Sequence, residues 1–139
     1  PRDPARRAQP GFWYDSANSR LFAVTASLLS GPHRQNRSPA LEQIAAALKF
    51  VETEALATRP ADGLYWLGPE ISLVDLTFYP WFEQLAALEQ LRGIHMPSDL
   101  VRLAAWQDVV AHRSPVRAIA IPPQFYLKHY LRHEEEVAA

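Results

Sequence analysis

The chain has 139 residues, no cysteine and a formal net charge of −1, and 48% of its residues are apolar. That length suffices for one domain with its own core, and the missing thiols exclude disulfides, thiolate nucleophiles and cysteine metal sites. The near-neutral balance argues against an electrostatically driven nucleic-acid binder, the apolar content argues against disorder, and no apolar run approaches the ~18 residues of a membrane span.

Asp3-Pro4 reads as an N-cap with proline in the first helical position. From there a helix is expected to run to about Ser30, where Gly31-Pro32 stops it, with Pro10-Gly11 as a weak point. Tyr14, Ala17, Leu21, Val24 and Leu28 recur at spacings of three and four, as a core stripe does. Phe12, Phe22, Ala26 and Leu29 form part of a second apolar line, which suggests two packing partners for one helix. His33 to Arg37 reads as a polar loop. Ser38-Pro39 repeats the cap-then-proline signal ahead of a second helix with Leu41, Ile44, Ala45, Leu48, Val51 and Ala55 on one side. In that helix the small residues Ala45, Ala46 and Ala47 permit a close neighbour.

Arg59 to Gly63 is a turn, and Tyr65-Trp66-Leu67-Gly68-Pro69 is a short apolar connector. The next segment opens with a capping box. Ser72 can meet the N–H of Asp75 while the Asp75 carboxylate reaches back to Ser72, and Ile71 with Leu76 can close as a hydrophobic staple. Beyond the cap the segment is almost wholly apolar, so this helix, from Ser72 to about Arg92 with Gly93 ending it, is expected in the middle of the domain. Pro80 inside it predicts a kink, at a local cost of about 3 kcal/mol in an exposed helix. Pro97-Ser98 introduces a helix whose inner side is Leu100, Leu103, Trp106 and Val110. Ser114-Pro115 starts a short one, and an aromatic tail with Phe125, Tyr126 and Tyr130 closes the chain. No convincing period-two strand occurs, so the class is all-α.

Four landmarks stand in order along nearly the whole chain. They are Arg6-Arg7-Ala8 with Trp13, the connector Tyr65-Trp66-Leu67-Gly68, the capped central helix, and Leu103-x-x-Trp106 with Val109-Val110 and Arg113-Ser114-Pro115-Val116. Together they resemble the C-terminal all-helical domain of the glutathione transferase family. The resemblance implies a helical bundle around a buried, N-capped, proline-kinked central helix, with residues 1–139 as a single such domain. It also implies a thioredoxin-like N-terminal domain, absent from this chain, that binds glutathione as co-substrate and carries the activating Tyr, Ser or Cys. No residue here matches that catalytic group, and the chain taken alone is expected to be inert.

For the co-substrate, the resemblance points to the first helix and the tail. Trp13, Tyr14, Ala17, Asn18 and Leu21, with Phe125 and Tyr126, are the candidates for a hydrophobic electrophile-binding pocket, since aromatic walls suit apolar electrophiles. Core packing is the competing reading for Tyr14, Ala17 and Leu21. Asn18 and Arg20 are the polar residues that could face the cleft, although a solvated helix face also accounts for Arg20. His129 and His133 are four apart, as two ligands of one metal would be, with Glu134 or Glu136 as the nearest further donors, but no metal is expected. Glu134-Glu135-Glu136 reads as a frayed, solvated tail. The capping role accounts for Asp75 without catalysis. Arg2, Arg6 and Arg7 form a small basic cluster expected to meet solvent or the missing domain.

The function so implied is conjugation of glutathione to a small apolar electrophile by a cytoplasmic detoxification enzyme. Pro1-Arg2-Asp3-Pro4 shows no signal peptide, and the missing initiating methionine points to processing or a partial chain. A homodimer through the first two helices is expected, with no nucleic acid and no membrane among the partners. The alternatives are a non-catalytic protein-assembly module of the translation-factor type, an apolar-ligand carrier, and a glutathione-dependent isomerase or reductase.

Overall fold

The first helical rod runs through its proline and glycine without a break. It comprises α1 (Pro4–Ser16), a π-helical turn (Ala17–Phe22) and α2 (Ala23–Ser30), with helical dihedrals at both junctions. In the computed structural model, residues 4–30 and 37–138 are described, with the side chains of 10–29 and 37–136. The Asp3 cap, the Gly31-Pro32 stop, the His33 loop, Arg2, and the side chains of Arg6 and Arg7 lie outside the described residues.

The buried column of this rod is Trp13, Ala17, Leu21, Thr25 and Leu28, and it differs from the expected stripe. In a plain α-helix each four-residue step rotates the column by about 40°. Here the Ala23 N–H bonds to the Asn18 carbonyl five residues back, which widens the turn and removes much of that rotation. Tyr14 and Val24, expected in the core stripe, are therefore turned half out.

The second rod is built the same way: α3 (Ser38–Phe50) leads into a π-helical turn (Val51–Leu56) that ends with the Ala57 N–H on the Glu52 carbonyl at 3.1 Å. Ala40, Ile44, Ala47, Leu48, Val51, Ala55 and Leu56 are buried, while Ala45 and Ala46 face solvent. After the turn at Gly63, Tyr65 and Gly68 pair as an isolated antiparallel bridge; among the described residues no longer strand pairing occurs. Gly68 has φ 144°, a backbone region that side-chain-bearing residues rarely adopt, which explains glycine at this tight reversal.

α4 (Leu73–Glu83) opens with the capping box and continues through Pro80. The joint falls four residues later at Gln84, whose side-chain amide donates to the Pro80 carbonyl at 2.9 Å, and α5 (Leu85–Arg92) follows. Gly93, at φ 72°, ends it. α4 packs against the first rod, α5 and α6 (Val101–Ala111). Val74, Asp75, Phe78, Trp81 and Phe82 are buried, so the helix occupies the middle of the bundle. It is not enclosed all round, however: Leu73 is 69% and Leu76 48% exposed, and Pro80 is open on the same strip. Leu76, the expected staple partner of Ile71, is thus half open while Ile71 packs against the core.

α6 begins at Val101 rather than at the Pro97-Ser98 signal, with Leu100 as a cap that offers no side-chain acceptor. Glu52 takes that role from the second rod. Its carboxylate accepts the Arg102 N–H at 3.1 Å and the Leu103 N–H at 2.7 Å. An anion at a helix N-terminus satisfies orphan donors and meets the positive end of the dipole.

α7 (Ser114–Ala118) is a single short turn after Arg113, whose guanidinium donates to the Tyr65 hydroxyl at 2.6 Å. α8 (Pro123–Ala138) lies on α5 and α2. Tyr126 donates to Glu83, Tyr130 to Gln84, and Glu134 pairs with Arg92. Glu134 is therefore part of a clasp and not of a solvated tail, because Arg92 is buried where it caps the Leu28 and Leu29 carbonyls that end α2.

All four tryptophans are buried. Trp66 stacks on Phe78 at 4.1 Å and meets Trp13 and Trp106 edge-on, and Trp106 meets Phe82 in the same way. Such pairs add about 0.5–1.5 kcal/mol each beyond their buried area. No helix of the described residues is long and apolar enough to cross a membrane.

Candidate functional site

Between the first rod and α4 lies an open cleft of about 380 Å³ lined by Tyr14, Asn18, Leu73, Leu76 and Thr77. Tyr14 and Asn18 stand four apart on the outer flank of the buried Trp13–Ala17–Leu21 column. Leu73, Leu76 and Thr77 come from the open strip of α4. Among the described residues the lining has no charged side chain. The Thr77 hydroxyl donates to the Leu73 carbonyl at 2.8 Å, which leaves it no proton to offer a ligand.

The candidate residues fall into three groups. Tyr14 and Asn18 line this cleft together. Trp13, Ala17 and Leu21 are buried within the bundle core. Phe125 and Tyr126 are on α8, away from the cleft lining. Phe125 is 58% exposed beside Lys128, His129 and Arg132, and Tyr126 binds Glu83 at 2.5 Å. Burial and the Glu83 hydrogen bond push the Tyr126 hydroxyl well above its ordinary pKa. Burial also raises the Tyr130 hydroxyl and, with the Glu83 charge, that of Tyr79.

A second groove of about 390 Å³ separates the two rods, lined by Ser19, Arg20, Val24, Gln43, Ala46, Ala47 and Phe50. The Arg20 guanidinium sits 4.7 Å over the Phe50 ring, so this side chain is held on an aromatic face rather than merely solvated. Phe12, half exposed, meets Phe50 edge-on. His129 and His133 are exposed on α8, and among the described residues no three His, Asp or Glu side chains gather as a metal site would require.

Asp75 is completely buried and accepts four hydrogen bonds. Oδ2 takes the Ser72 N–H at 2.8 Å and the Ser72 hydroxyl at 2.6 Å; Oδ1 takes the Trp66 N–H at 2.8 Å and the Trp106 indole at 2.7 Å. A carboxylate whose acceptor sites are all occupied is built to hold structure. It pins the connector, the start of α4 and α6, and so fixes the Leu73–Leu76 wall.

Sequence reasoning missed Leu73, Leu76 and Thr77 as cleft residues, with Leu76 read only as a staple partner, and Glu52 and Arg92 as buried charges. Glu52 carried a readable signal, since Ile44, Leu48, Glu52 and Leu56 form a four-residue line otherwise apolar.

This all-α bundle, with its capped central helix and its open apolar cleft, matches the family model "Glutathione S-transferase, C-terminal domain" over residues 7–108. The chain belongs to that family. It is 29% identical over 119 residues to glutathione S-transferase U25 of Arabidopsis thaliana, covering 84% of this chain and 50% of that protein. It is 34% identical over 108 residues to glutathione S-transferase U22 of the same plant, covering 76% of this chain and 45% of that protein. To the probable glutathione S-transferase MSR-1 of Nicotiana plumbaginifolia it is 21% identical over 136 residues, 94% of this chain and 59% of that protein. The chain thus spans about half the length of the curated relatives it matches.

Proposed function

We propose that this chain is the electrophile-holding helical domain of a two-domain glutathione transferase, with the thioredoxin-like domain lying outside it. The observation that carries the reading is the cleft, with Leu73 and Leu76 on its α4 wall and no charged side chain among its described lining residues. Glutathione has two carboxylates against one ammonium and calls for charged or backbone partners. The cleft suits the other reactant, a small apolar electrophile.

In this reading the thioredoxin-like domain binds glutathione and lowers its thiol pKa, and the thiolate sulfur attacks the electrophilic carbon. A C–S bond forms and the leaving group departs with its bonding pair. This chain's contribution is orientation: holding the electrophile at a fixed distance converts a bimolecular encounter into a local one. Tyr14 and Asn18 remain the binding residues of the proposal, with Leu73 and Leu76 opposite. The exposed Leu73 and Leu76 side chains also suit the margin of a surface on which a second domain docks.

A homodimer across the first two helices belongs to the same proposal, supported by Val24, Ala46, Ala47 and Phe50 in the groove between the rods and by the half-exposed Phe12. A cytoplasmic setting goes with it. The family match and the names of the relatives favour conjugation over the assembly module, the carrier and the isomerase or reductase.

The test is thioether formation from glutathione and 4-nitrobenzyl chloride by the full-length protein, followed by chromatography. Turnover above the uncatalysed rate is expected, and its absence overturns the reading. Sedimentation of the same protein as a monomer at high concentration overturns the dimer.

A further inference from the structure

We propose that the exposed segment from Arg117 to Arg132, centred on the outer face of the first half of α8, docks the protein peripherally on an anionic lipid surface. This binding is separate from the transferase reading and does not rest on it.

Charge is unevenly distributed along the chain. Between Asp108 and Glu134 there is no Asp or Glu, while Arg113, Arg117, Lys128 and Arg132 all fall in that stretch. The whole chain has a net charge of −1, so a cationic segment stands against an acidic remainder. The structure then sorts the four cations. Arg113 is turned onto the Tyr65 hydroxyl. Arg117, Lys128 and Arg132 are exposed, and none of their side chains meets a carboxylate at ion-pair distance among the described residues. The carboxylates on the inner side of α8 are committed elsewhere, Glu83 to Tyr126 and Glu134 to Arg92.

Apolar exposure falls on the same segment. Ile119 is 79% and Phe125 58% exposed, and Ile121 and Leu131 are open as well. On α8, Phe125, Lys128, His129 and Arg132 follow one another at helical spacing, so they share one face, and they line a hollow of about 180 Å³. Glu135 and Glu136 come only after Arg132, which confines the basic face to the first half of the helix.

A lipid surface suits this chemistry better than a protein segment does. Ile119 stands out at the end of a single short turn, whereas a bound peptide calls for a groove or a free sheet edge. A bilayer interface accepts protruding apolar side chains among its headgroups, and its negative charge attracts lysine and arginine. The hollow has the size for one headgroup phosphate or carboxylate between Lys128 and Arg132. Docking of this kind uses no spanning helix, and it departs from the expectation of no membrane among the partners.

The experiment sediments the full-length protein with sucrose-loaded vesicles of phosphatidylcholine, alone and mixed with phosphatidylserine. Binding should be several-fold stronger on the mixed vesicles and should fall as sodium chloride is raised, because salt screens the attraction. Lys128→Gln and Arg132→Gln should each weaken partitioning on the mixed vesicles about fivefold, one cation's share. Phe125→Ser should weaken it too, and Lys49→Gln, an exposed cation outside the segment, should bind as wild type does. Equal binding to both kinds of vesicle, no loss in either charge variant, or an equal loss in Lys49→Gln overturns the inference. Binding to soluble polyglutamate with none to the mixed vesicles also overturns it and gives the face to an acidic protein. Circular dichroism checks the fold of each variant, and the salt series on wild type decides without any of them. Glutathione conjugation is measured apart, so a protein that binds vesicles but forms no thioether fails the transferase reading alone.

Discussion

Trp106 donates its indole N–H to the Asp75 carboxylate across 2.7 Å, and this bond joins α6 to the start of α4. The other oxygen of the same carboxylate closes the capping box with Ser72. A residue that reads locally as a helix cap thus also holds together three parts of the bundle. Replacing it by alanine leaves the Trp66 N–H and the Trp106 indole buried without acceptors. Asp75→Ala should lower the unfolding free energy by about 4 kcal/mol, a large share of a typical domain's stability. Ser72→Ala removes the cap side chain and one of the four donors to Asp75, leaves the Trp66 and Trp106 bonds in place, and should cost about 1 kcal/mol. Urea denaturation followed by circular dichroism checks both, and equal losses for the two variants would refute the wider role of Asp75.

Glu52 caps a helix fifty residues further along the chain. In Glu52→Ala the buried Leu103 N–H has no acceptor, at a cost of about 2 kcal/mol. Glu52→Gln keeps one side-chain oxygen and should lose less than half as much. Hydrogen exchange locates the effect: the Arg102 and Leu103 amides should exchange faster in the alanine variant, while amides late in α6 keep most of their protection. Uniform acceleration along the helix would count against the capping role.

Alkaline pH should destabilise the packing of α8. Tyr126, Tyr130 and Tyr79 all have hydroxyl pKa values raised in the folded protein, by burial first in each case. An acid with a raised folded pKa favours its protonated form in the native state. Its contribution is fully present below the unfolded value, about 10, and is lost as pH rises towards the folded one. The urea midpoint should therefore hold steady up to about pH 10 as far as these groups are concerned, and fall above it. Tyr126→Phe should make that fall shallower. An equal slope in wild type and variant would remove Tyr126 from the account.

Gly93 ends α5 at φ 72°, and a Cβ built there would meet nothing within 4 Å. Any cost of substitution is then conformational and not steric crowding by neighbours. Gly93→Ala should lose about 1 kcal/mol in thermal or urea unfolding. Gly93→Asn should lose less, since asparagine tolerates the left-handed region better. A loss several times larger would point to a packing role that the open space around Gly93 argues against.

The legible part of the fold was the punctuation. Ser38-Pro39, Ser72 with Asp75, Gly93 and Ser114-Pro115 mark helix ends at or within a residue of where they fall. The inner sides of α3 and α6 were legible as well, because Ile44, Leu48, Leu103, Trp106 and Val110 follow plain helical spacing. The Pro97-Ser98 start was misleading: it supplied a local cap signal, but the helix begins where Glu52 supplies an acceptor. At the cleft, Tyr14 and Asn18 were readable from the resemblance. Leu73 was not, because an apolar residue just after a capping box reads as core.

What the sequence determines by itself is set within one or two helical turns: the caps, the glycine and proline stops, the alternation that makes the chain all-α. Those effects act between neighbours along the chain and need no knowledge of the rest. The π-helical turns, the Glu52 cap on α6, the Arg92–Glu134 clasp and the exposure of Leu73 and Leu76 were decided only by tertiary structure. Each depends on which buried group finds a partner from a distant segment, and the hydrophobic pattern is silent on that choice. An apolar face can bury against its own core or stay open as a wall, and only the packed arrangement of helices tells the two apart.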